Sequence, residues 1–149
     1  MITTLRNLSF LLLSLLLVAC ASVPMESPEK DAAAKSAKPG PEESLIYVYR
    51  NEVFGAAIKL AMTLDGKMVG ETASETYFLL RVPAGKHTLS SQAEGDWDKL
   101  TINCEGGKTY HVWQEVKMGM FAANSKLHLM SPEEGRKGVQ ECKLIKTQI

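Results

Sequence analysis

Ile58, Leu60, Met62 and Leu64 alternate with Lys59, Ala61, Thr63 and Asp65, and Gly66 follows at once. A period of two over such a run fits a strand with one buried face and does not fit a helix. Asp65-Gly66 then suits the centre of a two-residue type I′ hairpin, because both residue types accept positive φ, so Met68 and Val69 begin the returning strand. The same pattern fills the chain from residue 45 onward. Ile46 and Val48 alternate with Tyr47 and Tyr49, residues 76–82 form another apolar strand, and Pro83-Ala84-Gly85 turns it into one at 87–93. Gly95 breaks the next connection. Residues 100–104 and 109–116 are joined by Glu105-Gly106-Gly107-Lys108, which reads as a hairpin-type turn, and 127–130 make a late strand.

Ser131-Pro132-Glu133-Glu134 starts a helix, since Ser caps, Pro suits the first position and carboxylates favour the positive end of the dipole. Gly135 and Gly138 are expected to keep it short, and residues 139–145 to finish as a turn plus an edge strand. The fold predicted is mostly β: a small single-domain antiparallel β-sandwich of about 7–8 strands with one short C-terminal helix, a small barrel being the other closure.

Only residues 45–149 belong to that domain. At the start of the chain Arg6 precedes an apolar run over residues 8–18 that stops at Leu17-Val18-Ala19-Cys20. Leu three before a cysteine, small residues before it and a thiol after them form the pattern of a bacterial lipoprotein signal peptide, residues 1–19, with cleavage before an acylated Cys20. A transmembrane helix is the competing reading, but about a dozen apolar residues fall short of the roughly 20 that span a bilayer. Bacterial lipoproteins carry three acyl chains on this cysteine, and a single chain binds only marginally. Ala21 stands where Asp is the common inner-membrane retention signal, so the destination expected is the outer membrane of the cell envelope, facing the periplasm. Residues 20–44, rich in Pro, Ala, Ser, Lys and Glu, read as a disordered tether with a span of roughly 25–30 Å as a flexible coil. A short Ala-rich helix near residues 30–38 is marginal on its own.

With 17 Lys and Arg against 17 Asp and Glu, and no basic cluster, the electrostatic footprint of a nucleic-acid binder is missing. Of three cysteines one is assigned to lipid, leaving Cys104 and Cys142. An even remainder in an oxidising compartment suggests a disulfide, with two buried thiols as the alternative.

Leu45-Ile46-Tyr47-Val48-Tyr49-Arg50, then Leu64-Asp65-Gly66-Lys67-Met68-Val69-Gly70, then Tyr77-Phe78 and Val82-Pro83-Ala84-Gly85-Lys86-His87 follow in an order that resembles the lipoprotein family known as domain of unknown function 2846. The middle of this stretch is also similar to PEGA-type surface domains with a transthyretin-like sandwich. The resemblance spans about residues 45–146 and implies a membrane-tethered, non-enzymatic envelope domain. It brings no catalytic residue with it.

The residues themselves point the same way, for no Gly-x-Ser-x-Gly, His-Glu-x-x-His, Cys-x-x-Cys or glycine-rich phosphate loop occurs. No enzyme activity and no cofactor are expected. His87 and His111 read as strand histidines without a paired nucleophile. Met118-Gly119-Met120, with His111, His128 and Met130 near in sequence, offers soft ligands for copper(I), although methionine also fills small cores. Tyr49, Trp97 and Trp113 are the candidate binding residues, Trp97 between Asp96 and Asp98 being the one expected to be most exposed. The sequence thus implies a module held on the lipid bilayer through acylated Cys20 that binds an envelope protein or peptidoglycan. A periplasmic hydrolase inhibitor or a copper(I)-binding protein is the alternative.

Overall fold

The computed structural model describes residues 22–149, so the expected signal peptide and Cys20 lie outside the described residues. Leu45-Ile46-Tyr47-Val48-Tyr49 builds the centre. It lies in β1 (Glu43–Arg50), which is buried along almost its full length, as an unbroken apolar run must be when both faces of a strand are covered. β1 pairs antiparallel with β4 (Thr76–Pro83) and parallel with β7 (Thr109–Met118). With β8 (Ala123–Met130) and the two-residue β9 (Lys143–Leu144) at the edges, they form a five-stranded sheet of order β8-β7-β1-β4-β9. β2 (Leu60–Leu64), β3 (Lys67–Thr72), β5 (Gly85–Gln92) and β6 (Trp97–Cys104) form the second sheet in the order β3-β2-β5-β6. The mostly β, two-sheet architecture agrees with the sequence. Its β1–β7 and β4–β9 pairings are parallel, which a purely antiparallel sandwich lacks.

Local turn chemistry works where it was expected. Asp65 and Gly66 have φ of 50° and 79°, the positive pair that joins β2 to β3. His87 fastens this turn to the next corner, its Nδ1 2.7 Å from Asp65 Oδ2 and its Nε2 2.9 Å from the Pro83 carbonyl oxygen. Residues 105–108 are not a hairpin: β6 pairs with β5, β7 pairs with β1 and β8, and the turn carries the chain from one sheet to the other. Two glycines let the backbone reverse, but burial chooses the sheet. Gly106 is needed because a Cβ there would strike the Pro41 carbonyl.

Between the sheets Ile46, Val48, Met62, Phe78, Leu89 and Ile102 form the main core. The outer face of the five-stranded sheet carries a second cluster of Leu45, Tyr47, Tyr49 and Tyr77 under two helices, α1 (Pro28–Lys35) and α2 (Pro132–Gln140). α2 starts as predicted, with Ser131 as its cap accepting from the Glu134 N–H. Its glycines do not end it. A Cβ on Gly135 would overlap the His111 side chain and one on Gly138 the Tyr49 ring, so the two glycines are what lets the helix lie against the sheet.

α1 corrects the expected disorder of residues 20–44 over the described part of that stretch. Ser27 caps it, the Leu144 N–H donates to Asp31 Oδ1 at 3.0 Å, Lys35 Nζ donates to the Cys142 carbonyl at 2.7 Å, and Tyr47 Oη donates to the Ala34 carbonyl at 2.5 Å. Val23 is buried in the main core. A helix this short is weak alone, and its composition is poor in large apolar residues; a few long-range hydrogen bonds and a buried Ala34 hold it instead. The bridge expected between Cys104 and Cys142 is not formed. Cys104 lies in the core between the sheets and Cys142 in the cluster under the helices, both as free thiols. Burial pushes both up, Cys142 to about 12, which leaves them protonated and unreactive.

Candidate functional site

Arg50 ends β1 and is fully buried. A guanidinium taken out of water has to find acceptors. It donates from Nη1 to the Ile58 carbonyl at 2.7 Å and from Nη2 to the Gly55 carbonyl at 2.6 Å, tying down the loop of residues 51–59 from beneath. Glu52, in the same loop, accepts from the Val116 N–H at 3.1 Å, and its carbonyl accepts from Ser74 Oγ at 2.7 Å. Because Arg50 pairs with Thr76 and β7 runs parallel to β1, the turn at 73–75 and the β7–β8 connection at 119–122 lie at this same end. The β5–β6 connection joins them: Glu94 Oε1 accepts from the Phe121 N–H at 2.9 Å, and the Glu94 N–H donates to Asn124 Oδ1. We refer to this end as the apex.

Beneath the apex the interior is polar. Thr72 Oγ1 donates to Gln114 Oε1 at 2.5 Å, Gln114 Nε2 donates to Ser91 Oγ at 2.6 Å, and Ser91 and Ser125 share a hydrogen bond between their hydroxyls. These four side chains come from both sheets and are buried. Above them the polarity reverses. Val53 is 69% exposed, Phe54 55%, Met118 70%, Met120 84% and Phe121 87%. These apolar tips form an exposed apolar patch above a hydrogen-bonded floor.

A second concavity opens on the outer face of the five-stranded sheet, between the helices. It has a volume of about 240 Å³, and Lys35, Tyr47, His111, Pro132, Arg136 and Val139 are among its lining residues. His111 is buried at its floor, stacked on Tyr47 at 5.3 Å between ring centroids, with no partner for Nδ1. Burial, with help from the Arg136 charge, pulls this imidazole down to about 4 and keeps it neutral.

The residues nominated from sequence fall apart in space. Tyr49 is buried beneath Gly138, where burial drives its phenol up to about 12, and it is unavailable as a binding residue. Trp113 is half-buried on the outer face and stacks on His128 at 5.1 Å. Trp97 begins β6 at the apex and is half-buried rather than free in a loop. Met118 and Met120 are exposed at the apex, whereas His111 is buried seven residues back along β7, roughly 23 Å from Met118 at about 3.3 Å per residue, so the three cannot share one copper ion. Among the described residues no three His, Cys, Asp or Glu side chains are grouped to hold a metal, and no helix is long and apolar enough to cross a membrane. Sequence reading missed Arg50, Glu94 and Phe121 as parts of a site. The signal for Arg50 was its place at the end of an otherwise apolar strand.

A relative from Haemophilus influenzae, described only as an uncharacterized protein, is 37% identical over 129 residues, 86% of this chain and 77% of its own. No solved structure matches. Residues 41–126, which include β1, β7 and all the strands of the second sheet, match the protein family of unknown function DUF2846. The chain belongs to the DUF2846 family.

Proposed function

We propose that this protein is an envelope lipoprotein, held on the outer membrane through acylated Cys20 and facing the periplasm, that works as a non-catalytic binding or structural adaptor. One observation carries the reading: Leu17-Val18-Ala19-Cys20 closes an apolar run of signal-peptide length, and a folded domain begins almost directly after it. A chain placed that close to its own anchor acts at the membrane surface. An exposed apolar apex and a cleft bearing Arg136 and Lys35, the latter paired with Asp31, give such a module two places to hold an envelope protein or the peptidoglycan layer.

Crosslinking in intact cells tests this, followed by purification and mass spectrometry of what is attached, with Cys20→Ser as control. The expected result is acyl groups on Cys20 and a reproducible envelope partner that is absent from the control. Protein that carries no acyl group and spreads through the soluble fraction would refute the anchor, and an anchored protein with no partner would refute the adaptor.

A further inference from the structure

We infer that the apex is a membrane-inserting surface: the loop tips carrying Val53, Phe54, Met118, Met120 and Phe121 enter the bilayer to which Cys20 is attached. This rests on the lipoprotein reading and adds to it an orientation and a second point of attachment.

Only Ala21 separates Cys20 from Ser22, so the two α-carbons are at most about 7 Å apart. Ser22 lines a cleft with Val23, Ala73, Ser74, Glu75 and Thr76. Thr76 is the register partner of Arg50, and Ser74 bonds the Glu52 carbonyl, so this cleft belongs to the apex. Residues 23–26 then bind the body through Val23 in the core, the Lys146 N–H donating to the Pro24 carbonyl at 2.9 Å and the Glu26 N–H to the Leu144 carbonyl at 3.0 Å. No slack remains to lift the domain. A bilayer holding acyl chains on Cys20 therefore lies against the apex, and the largest exposed apolar side chains of the described residues stand at that end.

The loops are built for this. Apolar tips on loose loops would collapse onto the protein, but Arg50, Glu52 and Glu94 fix these from below, and Gly119 closes the tip so tightly that a Cβ would meet Glu94, the Ala122 carbonyl and Asn124. Presented rigidly, Met120 and Phe121 reach the headgroup and acyl boundary at no further ordering cost. The opposite end carries the Asp65-Gly66 turn and the polar residues 105–108, with Met68, Leu129 and Ile149 as exposed apolar side chains that are all less open than Met120 and Phe121, and it faces away from the lipid.

The test uses the mature, acylated protein reconstituted into vesicles of phosphatidylethanolamine and phosphatidylglycerol whose acyl chains are brominated or not. Phe121→Trp places a fluorophore at the apex and Leu129→Trp places one at the far end of β8, where the residue is also exposed, though less than Phe121. If the tips penetrate the usual 5–10 Å or so, bromine should quench the added fluorescence of Phe121→Trp at least about threefold more than that of Leu129→Trp. Equal, shallow quenching on a protein whose mass shows acylated Cys20 overturns the insertion and leaves the lipoprotein reading standing. A mass without acyl chains overturns both. A dimer in detergent that Met120→Ser plus Phe121→Ser dissolves, with no bromine quenching, would assign the apex to a second copy instead and overturn the inference.

Discussion

The two ends of the sandwich are built on opposite plans. At the end opposite the apex the interior is aliphatic, with Leu64, Val82, Leu89, Ile102 and Cys104 packed between the sheets, and the connecting turns are polar. At the apex the interior holds Arg50, Thr72, Ser91, Gln114 and Ser125, and two of the connecting loops, 51–59 and 119–122, carry exposed apolar tips. The first end is held by area removed from water, which is insensitive to direction. The second is held by hydrogen bonds, which fix direction and so fix loops. A fold that has to present apolar side chains outward needs the second kind of interior beneath them, because more apolar surface below would offer those side chains a competing place to go.

The comparison breaks most easily at the aliphatic end. Leu89 is fully buried opposite Leu64, and Leu89→Ala should cost about 2–5 kcal/mol in urea unfolding, from lost transfer energy and the cavity left behind. A loss below about 1 kcal/mol would mean that this end is not the main reservoir of stability. Next in size is acid. His111 is held near 4 in the fold against its ordinary 6.5, so the unfolded chain takes up a proton in this window that the native protein refuses. Its contribution is complete above about pH 6.5 and is lost as pH falls toward 4, up to about 3 kcal/mol. Arg136 of α2 lines the same cleft, and its charge adds to the penalty on His111⁺. Unfolding measured from pH 7 to 4 should show this slope, and His111→Gln should flatten it.

These contrasts also explain what the sequence made legible. The Asp65-Gly66 hairpin and the Ser131 cap follow from rules that act within a few residues, and each is found where it was expected, whereas β1 reads as alternating and its tyrosine face is covered by helices from elsewhere in the chain. The docked α1 was not legible, because its holding bonds join residues far apart in sequence, as Asp31 and Leu144 do. Composition alone made that segment a tether. Gly135 and Gly138 read only as keeping the helix short, and their packing role was hidden for the same reason: their partners, His111 and Tyr49, are on strands the helix reaches only after folding. Cysteine counting suggested one bridge, but parity carries no information about which face of a sheet a residue occupies. The apex was half legible. Met118 and Met120 were singled out for their sulfur, whereas their exposure beside Phe121 depends on Glu94 from another sheet.

Gln114 measures the polar interior directly. Gln114→Ala would leave the Thr72 and Ser91 hydroxyls without their shared partner in a dry site, at a cost of about 1–3 kcal/mol. Gln114→Leu would add apolar area to the same gap, and if the apex behaved like the other end it would restore stability. The hydrogen-bonded plan requires instead that it stay destabilised and that protease cleavage appear within residues 51–59 or 119–122.

Phe121→Ser is the smallest effect and the sharpest comparison with Leu89→Ala. The ring is 87% exposed and contributes no burial to the fold, so stability in the absence of lipid should change by no more than about 0.5 kcal/mol. The Phe121 N–H still donates to Glu94, since the backbone is untouched, and the loop keeps its shape. Two apolar residues of similar size would then differ several-fold in what they do for folding, with Leu89 worth most to the interior and Phe121 worth almost nothing to it. Thermal unfolding of the two variants side by side decides the matter. A loss for Phe121→Ser approaching that of Leu89→Ala would place the ring inside the fold and abolish the inversion between the two ends.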